Sequence, residues 1–217
     1  VRATPITPSL LAAGIAREAL ARRAATGHAV RVVVDGPVEQ DGAGLADAVA
    51  STLAADAVPV ARVSARDFLR ARSLRLEGGG DPDSFLEGWY DMAALRREVL
   101  DPLGPGGSMR WLPRLRDPVT DRSVRDLRRT APPGTVVVLD GRFLLRDGLR
   151  DAVDLAVHLA VSAAARGRRV PADEAARVLP AWNRYLEESD PAARADLVVR
   201  FDHPDRPALI QHSVEPG

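Results

Sequence analysis

Five short apolar runs rich in β-branched residues punctuate the chain, at Arg31–Asp35, Pro59–Ser64, Thr135–Asp140, Leu155–Val161 and Leu197–Phe201. Several are continuously apolar, with no polar alternation, which is the pattern of strands buried on both faces. Between them apolar residues recur at helical spacing, predicting helices over Leu45–Ala55, Met92–Leu100, Leu144–Val153 and Ala172–Leu186, with a shorter one over Ala163–Arg169. Strands alternating with helices predict an α/β fold built on a parallel sheet.

The chain has 217 residues, enough for one well-buried core, so a single domain over 1–217 is expected. Its formal net charge is zero, which argues against a general affinity for nucleic acid or anionic membranes. Cysteine is absent, excluding disulfides, thiolate catalysis and cysteine-type zinc sites. All 30 basic residues are arginines, so no mechanism that needs a lysine ammonium can run on this chain alone. His28, His158, His203 and His212 show no metal-ligand spacing, and no metal site is expected. No apolar run approaches the roughly 20 residues of a membrane span. Leu11, Ile15 and Ala19 share one helical face, predicting an N-terminal amphipathic helix within 1–28 rather than a leader, and hence a cytoplasmic protein.

Two stretches read as loops, the glycine run at 77–82 and "DPLGPGG" at 101–107. The segment Arg110–Arg129 carries seven Arg against three Asp. The interleaved acids predict a solvated hairpin or lid-like insertion over 108–130, and a nucleic-acid-binding patch is the alternative.

The most informative stretch is "DGPVEQDGAGLA", residues 35–46. It follows the apolar Val32–Val34 and leads into Leu45, Val49 and Leu53 at helical spacing. A strand, a glycine-rich turn and a helix form the setting in which backbone amides hold phosphates. Yet this turn has no Lys, Ser or Thr, and it carries Glu39 and Asp41.

"VVVDGP" (32–37), "DFLRAR" (67–72), "ALRREVLDPLGPGG" (94–107), "APPGTVVVLDGRFLLR" (131–146) and "DPAARADLVV" (190–199) together resemble the uridine kinase-like branch of the P-loop kinases, related to phosphoribulokinase. The resemblance covers most of the chain beyond residue 30 and keeps the family's order. It implies a P-loop NTPase-like, three-layer α/β/α fold with a mostly parallel, about five-stranded central sheet. It also implies a nucleotide over the first strand–helix turn and an acceptor such as a nucleoside near the carboxyl ends of the strands.

Residue by residue, the chemistry departs from that family. A working P-loop reads G-x-x-x-x-G-K-[ST], its lysine reaching the β/γ-phosphates and its hydroxyl holding Mg²⁺. With Gly36 as the first glycine, Asp41 stands at the second, Gly42 at the lysine and Ala43 at the hydroxyl residue, with Gly44 following. An acid ~5 Å from a phosphate charge repels it by roughly 3 kcal/mol at an effective dielectric of about 20. Asp41, directly before the predicted helix, is expected to cap it, its carboxylate accepting from the Ala43 or Gly44 amide in place of a β-phosphate.

The family's catalytic base is an Asp at the end of a strand, and in "VSARDFLRAR" Arg66 occupies that position. Arginine stays protonated and cannot take the proton. Asp67 substitutes only if the strand end is re-aimed, because neighbouring strand residues face opposite ways; otherwise it pairs with Arg66 or Arg70. Asp140, ending the strand "VVVLDG", stands where a Walker-B-like acid is expected. Arg166, Arg168 and Arg169 lie where the family's lid helix carries phosphate-binding arginines, although the lid is shortened. Trp89 and Tyr90 fall near the family's acceptor-binding segment, with core packing as the alternative.

Three functions follow in order of expectation. The first is a uridine kinase-like protein that has lost ATP-dependent transfer and binds or regulates, with a nucleoside-like small molecule as ligand and a homo-oligomer as an option. The second is an active nucleoside or small-molecule kinase using Asp67 and Asp140. The third is nucleic-acid binding through Arg110–Arg129. No cofactor is expected under the first, and ATP and Mg²⁺ enter only under the second.

Overall fold

The computed structural model describes residues 2–77 and 80–211. Its elements run β1 (Arg2–Pro5), α1 (Pro8–Ala25), β2 (Val30–Asp35), α2 (Glu39–Ala55) and β3 (Val60–Ser64), which turns directly into a 3₁₀ turn, Ala65–Phe68. Then come α3 (Arg72–Glu77), α4 (Pro82–Gly88), α5 (Met92–Leu95, continued by a π turn Arg96–Leu100), β4 (Arg110–Trp111), β5 (Arg129–Thr130) and β6 (Val136–Gly141). The rest is β7 (Leu155–Ala160), α6 (Ala163–Arg169), α7 (Ala172–Ser189), α8 (Pro191–Arg194), β8 (Leu197–Arg200) and β9 (Ala208–Gln211).

Among the described residues the main sheet has seven strands in the order β1-β9-β8-β7-β2-β6-β3. The five from β8 to β3 are parallel, and they are the five strands expected from the sequence. Successive side chains go to opposite faces. Val30, Val32 and Val34 meet Leu11, Ile15 and Ala19 of α1 and Leu45, Val49 and Leu53 of α2. Val33, Val137 and Leu139 meet Phe85, Leu95, Trp182 and Tyr185 of the helices on the other side. This is the three-layer α/β/α architecture of the expectation, with the central strands buried throughout.

Several details differ. The remaining two strands, β9 and β1, add an antiparallel edge. The N-terminal helix occupies only Pro8–Ala25, because Thr7 caps it through Leu10 N–H and Pro8 sits at its start; Arg2–Pro5 is strand instead. The helix expected over Leu144–Val153 is absent. Asp35 accepts the Leu144 amide and the Tyr185 hydroxyl accepts the Leu145 amide, Gly148 adopts φ 81°, and only Arg150–Ala152 makes a 3₁₀ turn. Helix α2 begins at Glu39 rather than near Leu45. Within the glycine run at 77–82, residues 78 and 79 lie outside the described residues, as does His212; Asp81 caps α4.

Candidate functional site

The carboxyl ends of β2, β6 and β3 converge on the first turns of α2. Gly36 closes β2 by donating to the Gly141 carbonyl at 3.1 Å, and a Cβ there would lie 3.2 Å from Leu159, so glycine lets two strand ends come this close. The chain then enters α2 after only Pro37 and Val38. The amides of Asp41 and Gly42 both donate to the Val38 carbonyl, at 3.1 and 3.3 Å. The N-cap is Val38, with no side-chain cap.

The capping role expected of Asp41 is therefore not what the structure has. Because the helix starts earlier, Asp41 lies inside its first turn, where its amide is already used. Its carboxylate pairs with Arg169 of α6 instead, which also donates to the Phe201 carbonyl at 2.8 Å. Burial raises the Asp41 pKa and Arg169 offsets only part of that rise.

Glu39 is the hub of the site. Its Oε1 accepts from the Tyr90 hydroxyl at 2.8 Å and lies 3.2 Å from Arg142 Nη1, while Oε2 lies 3.2 Å from Arg66 Nε. Arg142, 3% exposed, also donates to the Pro37 carbonyl at 2.9 Å and pairs with Glu174 at 3.2 Å. Tyr90 thus has its ring in the core and its hydroxyl in the site. Burial and the Glu39 charge push its pKa well up.

In the same cleft, Asp140 receives Arg62 Nη1 at 2.6 Å and the Ser64 hydroxyl at 3.3 Å. Arg62 further pairs with Asp47 at 2.7 Å and reaches the Ala43 carbonyl at 3.4 Å. A Cβ at Gly42 would meet Asp140 at 3.8 Å, so that position faces the same carboxylate. Burial raises the Asp140 pKa, with Arg62 pulling the other way.

Asp67 is brought into this group. The 3₁₀ turn at Ala65–Phe68 supplies the re-aiming that a continued strand could not, and the Asp67 carbonyl, accepting from Leu115 and Arg116, pins the turn. Among the described residues no ion pair joins Asp67 to Arg66 or Arg70. Asp67 lines a cleft of about 270 Å³ with Asp140, Glu39, Gln40, Arg62, and Arg66. Burial raises its pKa, Arg114 opposes this, and the Asp140 charge adds to it.

The lid-region arginines separate. Arg169 is at α2, Arg166 turns to Asn183 of α7 at 2.7 Å, and Arg168 approaches Asp202. Two residues were not singled out from sequence, Arg62 and Arg142. The signal for Arg62 was a cation inside the apolar run "PVARVS"; for Arg142 it was a cation directly after "LDG".

In the Arg110–Arg129 segment, β4 and β5 pair antiparallel and Arg116 bridges Ser123. Arg114 pairs with Asp126, Arg116 with Asp121 and Arg128 with Glu98, so three of the seven arginines are ion-paired within the protein. Among the described residues no helix is long and apolar enough to cross a membrane.

No protein-family model matches this sequence, and no curated protein does. Solved structures do. A "possible uridine kinase" from Bacillus stearothermophilus superposes with a TM-score of 0.70 at 20% identity, over 87% of this chain and 96% of that one. A structure assigned as a fructose transport system kinase, from Silicibacter sp. TM1040, gives 0.57 at 19% identity, over 84% and 90%. D-glycerate 3-kinase from Cryptococcus neoformans var. grubii gives 0.55 at 14%, over 86% and 87%. The strand order, the site at the carboxyl ends of the strands and these three likenesses agree: the chain has the fold of the P-loop kinases.

Proposed function

We propose that this chain is a uridine kinase-like P-loop protein that has lost ATP-dependent phosphoryl transfer and retains a binding or regulatory role toward a nucleoside-like small molecule. The observation that carries the reading is the Arg62–Asp140 pair, 2.6 Å apart. A guanidinium in contact with the strand-end carboxylate holds the place of a divalent cation and repels one. The turn beside it is occupied in the same sense. Two of its amides are spent on the Val38 carbonyl, and the Glu39–Arg66, Glu39–Arg142 and Asp41–Arg169 ion pairs fill the space where phosphates would lie.

The residues present do not fit a metal–nucleotide complex. Arg66 cannot act as base. Losing one preorganised charge-stabilising group typically costs about 10²–10³ in rate and losing a general base roughly 10²–10⁴, too much for a metabolic kinase. Calorimetric titration with ATP·Mg²⁺ tests the reading. No binding in the micromolar range is expected, and micromolar affinity would overturn it.

A second reading, an active nucleoside or small-molecule kinase with an atypical site, draws on one observation. Asp67 shares the cleft with Asp140, and burial shifts it toward the proton affinity a base needs. Micromolar ATP·Mg²⁺ binding together with turnover that Asp67→Asn abolishes would establish that reading instead.

A further inference from the structure

Arg166 breaks a pattern that the other buried arginines keep. Arg31 faces Asp154, and Arg142 faces Glu39 and Glu174. Arg166 is 7% exposed, yet Nη1 donates to the Val161 carbonyl at 2.6 Å and Nη2 to Asn183 Oδ1 at 2.7 Å. Both acceptors are neutral. Among the described residues no carboxylate lies within ion-pair distance, and the buried Nε has no partner. A buried cation without a countercharge is costly, and burial alone lowers its pKa.

Beside Arg166 is a cavity of about 310 Å³. His158 forms part of its lining, stacked on Trp182 at an interplanar angle of 3°. Its Nδ1 lies 2.9 Å from Asp35 Oδ2. Asp35 is fully buried and further held by the Tyr185 hydroxyl at 3.1 Å and the Leu144 amide at 2.9 Å. The ring is thereby fixed in orientation, and its Nε2 has no partner among the described residues. The other walls are mostly apolar, including Leu186, Ala192 and Ile210, with Arg200 also lining the cavity. Among the described residues the single carboxylate in the lining, Asp202, accepts from the Ser162 amide at 2.7 Å. This cavity shares no residue with the Asp67–Asp140 cleft or with the apolar cleft of about 410 Å³ between α1 and α2.

We propose that this cavity is a binding site for a small organic monocarboxylate, its head group on Arg166 and its apolar body against Trp182, Leu186 and Ile210, with the His158 ring lining the same space. The walls need an apolar body, and the unmatched charge needs an anion. A single negative charge suits the site better than two, since a second would be repelled by Asp202. The inference stands independently of whether ATP binds at α2.

Benzoate and octanoate are the probes, titrated calorimetrically into the full chain with benzyl alcohol and inorganic phosphate as controls, while the His158 ring protons are followed by NMR. Both carboxylates should bind saturably and shift the His158 resonances; neither control should. Arg166→Gln should weaken binding by at least about tenfold, the scale of one charge-assisted hydrogen bond. Ala192→Phe, which fills the cavity and leaves Arg166 untouched, should weaken it comparably, so the test survives if Arg166→Gln fails to fold. The proposal is overturned if neither carboxylate binds at millimolar concentration, if a control binds as well as they do, or if Ala192→Phe leaves binding and the His158 shifts unchanged.

Discussion

Removing Arg62 would strand Asp140 as a buried carboxylate holding only the Ser64 hydroxyl. Breaking a buried pair from one side costs about 3–5 kcal/mol, and because the Arg62 side chain is 24% exposed, Arg62→Met should fall at the low end in urea denaturation. Asp140→Asn in that background should recover part of the loss, since it removes the orphaned charge. Asp67 behaves differently, making no ion pair among the described residues. Its folded pKa is raised by burial above its ordinary 3.8, so the protonated form is favoured in the native state. The stability it contributes is complete below that ordinary value and is lost as pH rises through the folded one. Asp67→Asn should therefore be more stable than the parent at neutral pH, with the gain vanishing below about 3.8. Equal stability of the two at neutral pH would contradict this. Tyr185→Phe should cost about 1–3 kcal/mol, because it leaves the Leu145 amide and a buried Asp35 oxygen short of a partner.

Among the elements, the turn after β3 is held by close contact. A Cβ on Gly141 would sit 2.5 Å from that of Ala65, so Gly141→Ala should cost about 1–3 kcal/mol in thermal or urea unfolding. The start of α2 yields a sharper expectation. Asp41→Gly, Gly42→Lys, Ala43→Thr and Arg66→Asp restore the family's side chains, yet by themselves should not restore ATP binding, because Glu39 still opens the helix and Arg62 still holds Asp140. Adding Glu39→Gly and Arg62→Ser should produce measurable ATP binding by calorimetry; binding by the four-residue variant alone would show that these two contacts are not the obstacle. The central strands β2, β6 and β7 were legible because burial on both faces writes a continuous apolar run, and β3 and β8 because each keeps a short β-branched core. The edge strands β1 and β9 were not. Each has four residues, β1 is mostly exposed, and pairing at an edge leaves no comparable signature in composition. The false helix at Leu144–Val153 has helical spacing, but its first amides are claimed by Asp35 and Tyr185, residues distant in sequence.

At the scale of the molecule, the two ends of the described chain are joined. β1 pairs with β9 in a four-residue register, and Ile6 donates to the Pro207 carbonyl at 3.0 Å. Deleting residues 1–6 should lower the melting temperature and increase aggregation, because β9 becomes an unprotected edge; an unchanged melting temperature and solubility would contradict this. What the sequence by itself determined is the order of the five parallel strands and of helices α1, α2, α5, α6 and α7, and the side chains at Gly36, Asp41, Gly42, Ala43 and Arg66, since periodicity and residue identity are local properties. The tertiary structure alone decided which charge meets which. Asp41 took Arg169, Glu39 took Arg66 and Arg142, Asp140 took Arg62, and among the described residues Arg166 was left without an acid. Those pairings depend on where helices and strand ends cross, often more than a hundred residues apart for Arg142 and Arg169. Ion-pair energies fall off with distance in space, and no spacing along the chain encodes that.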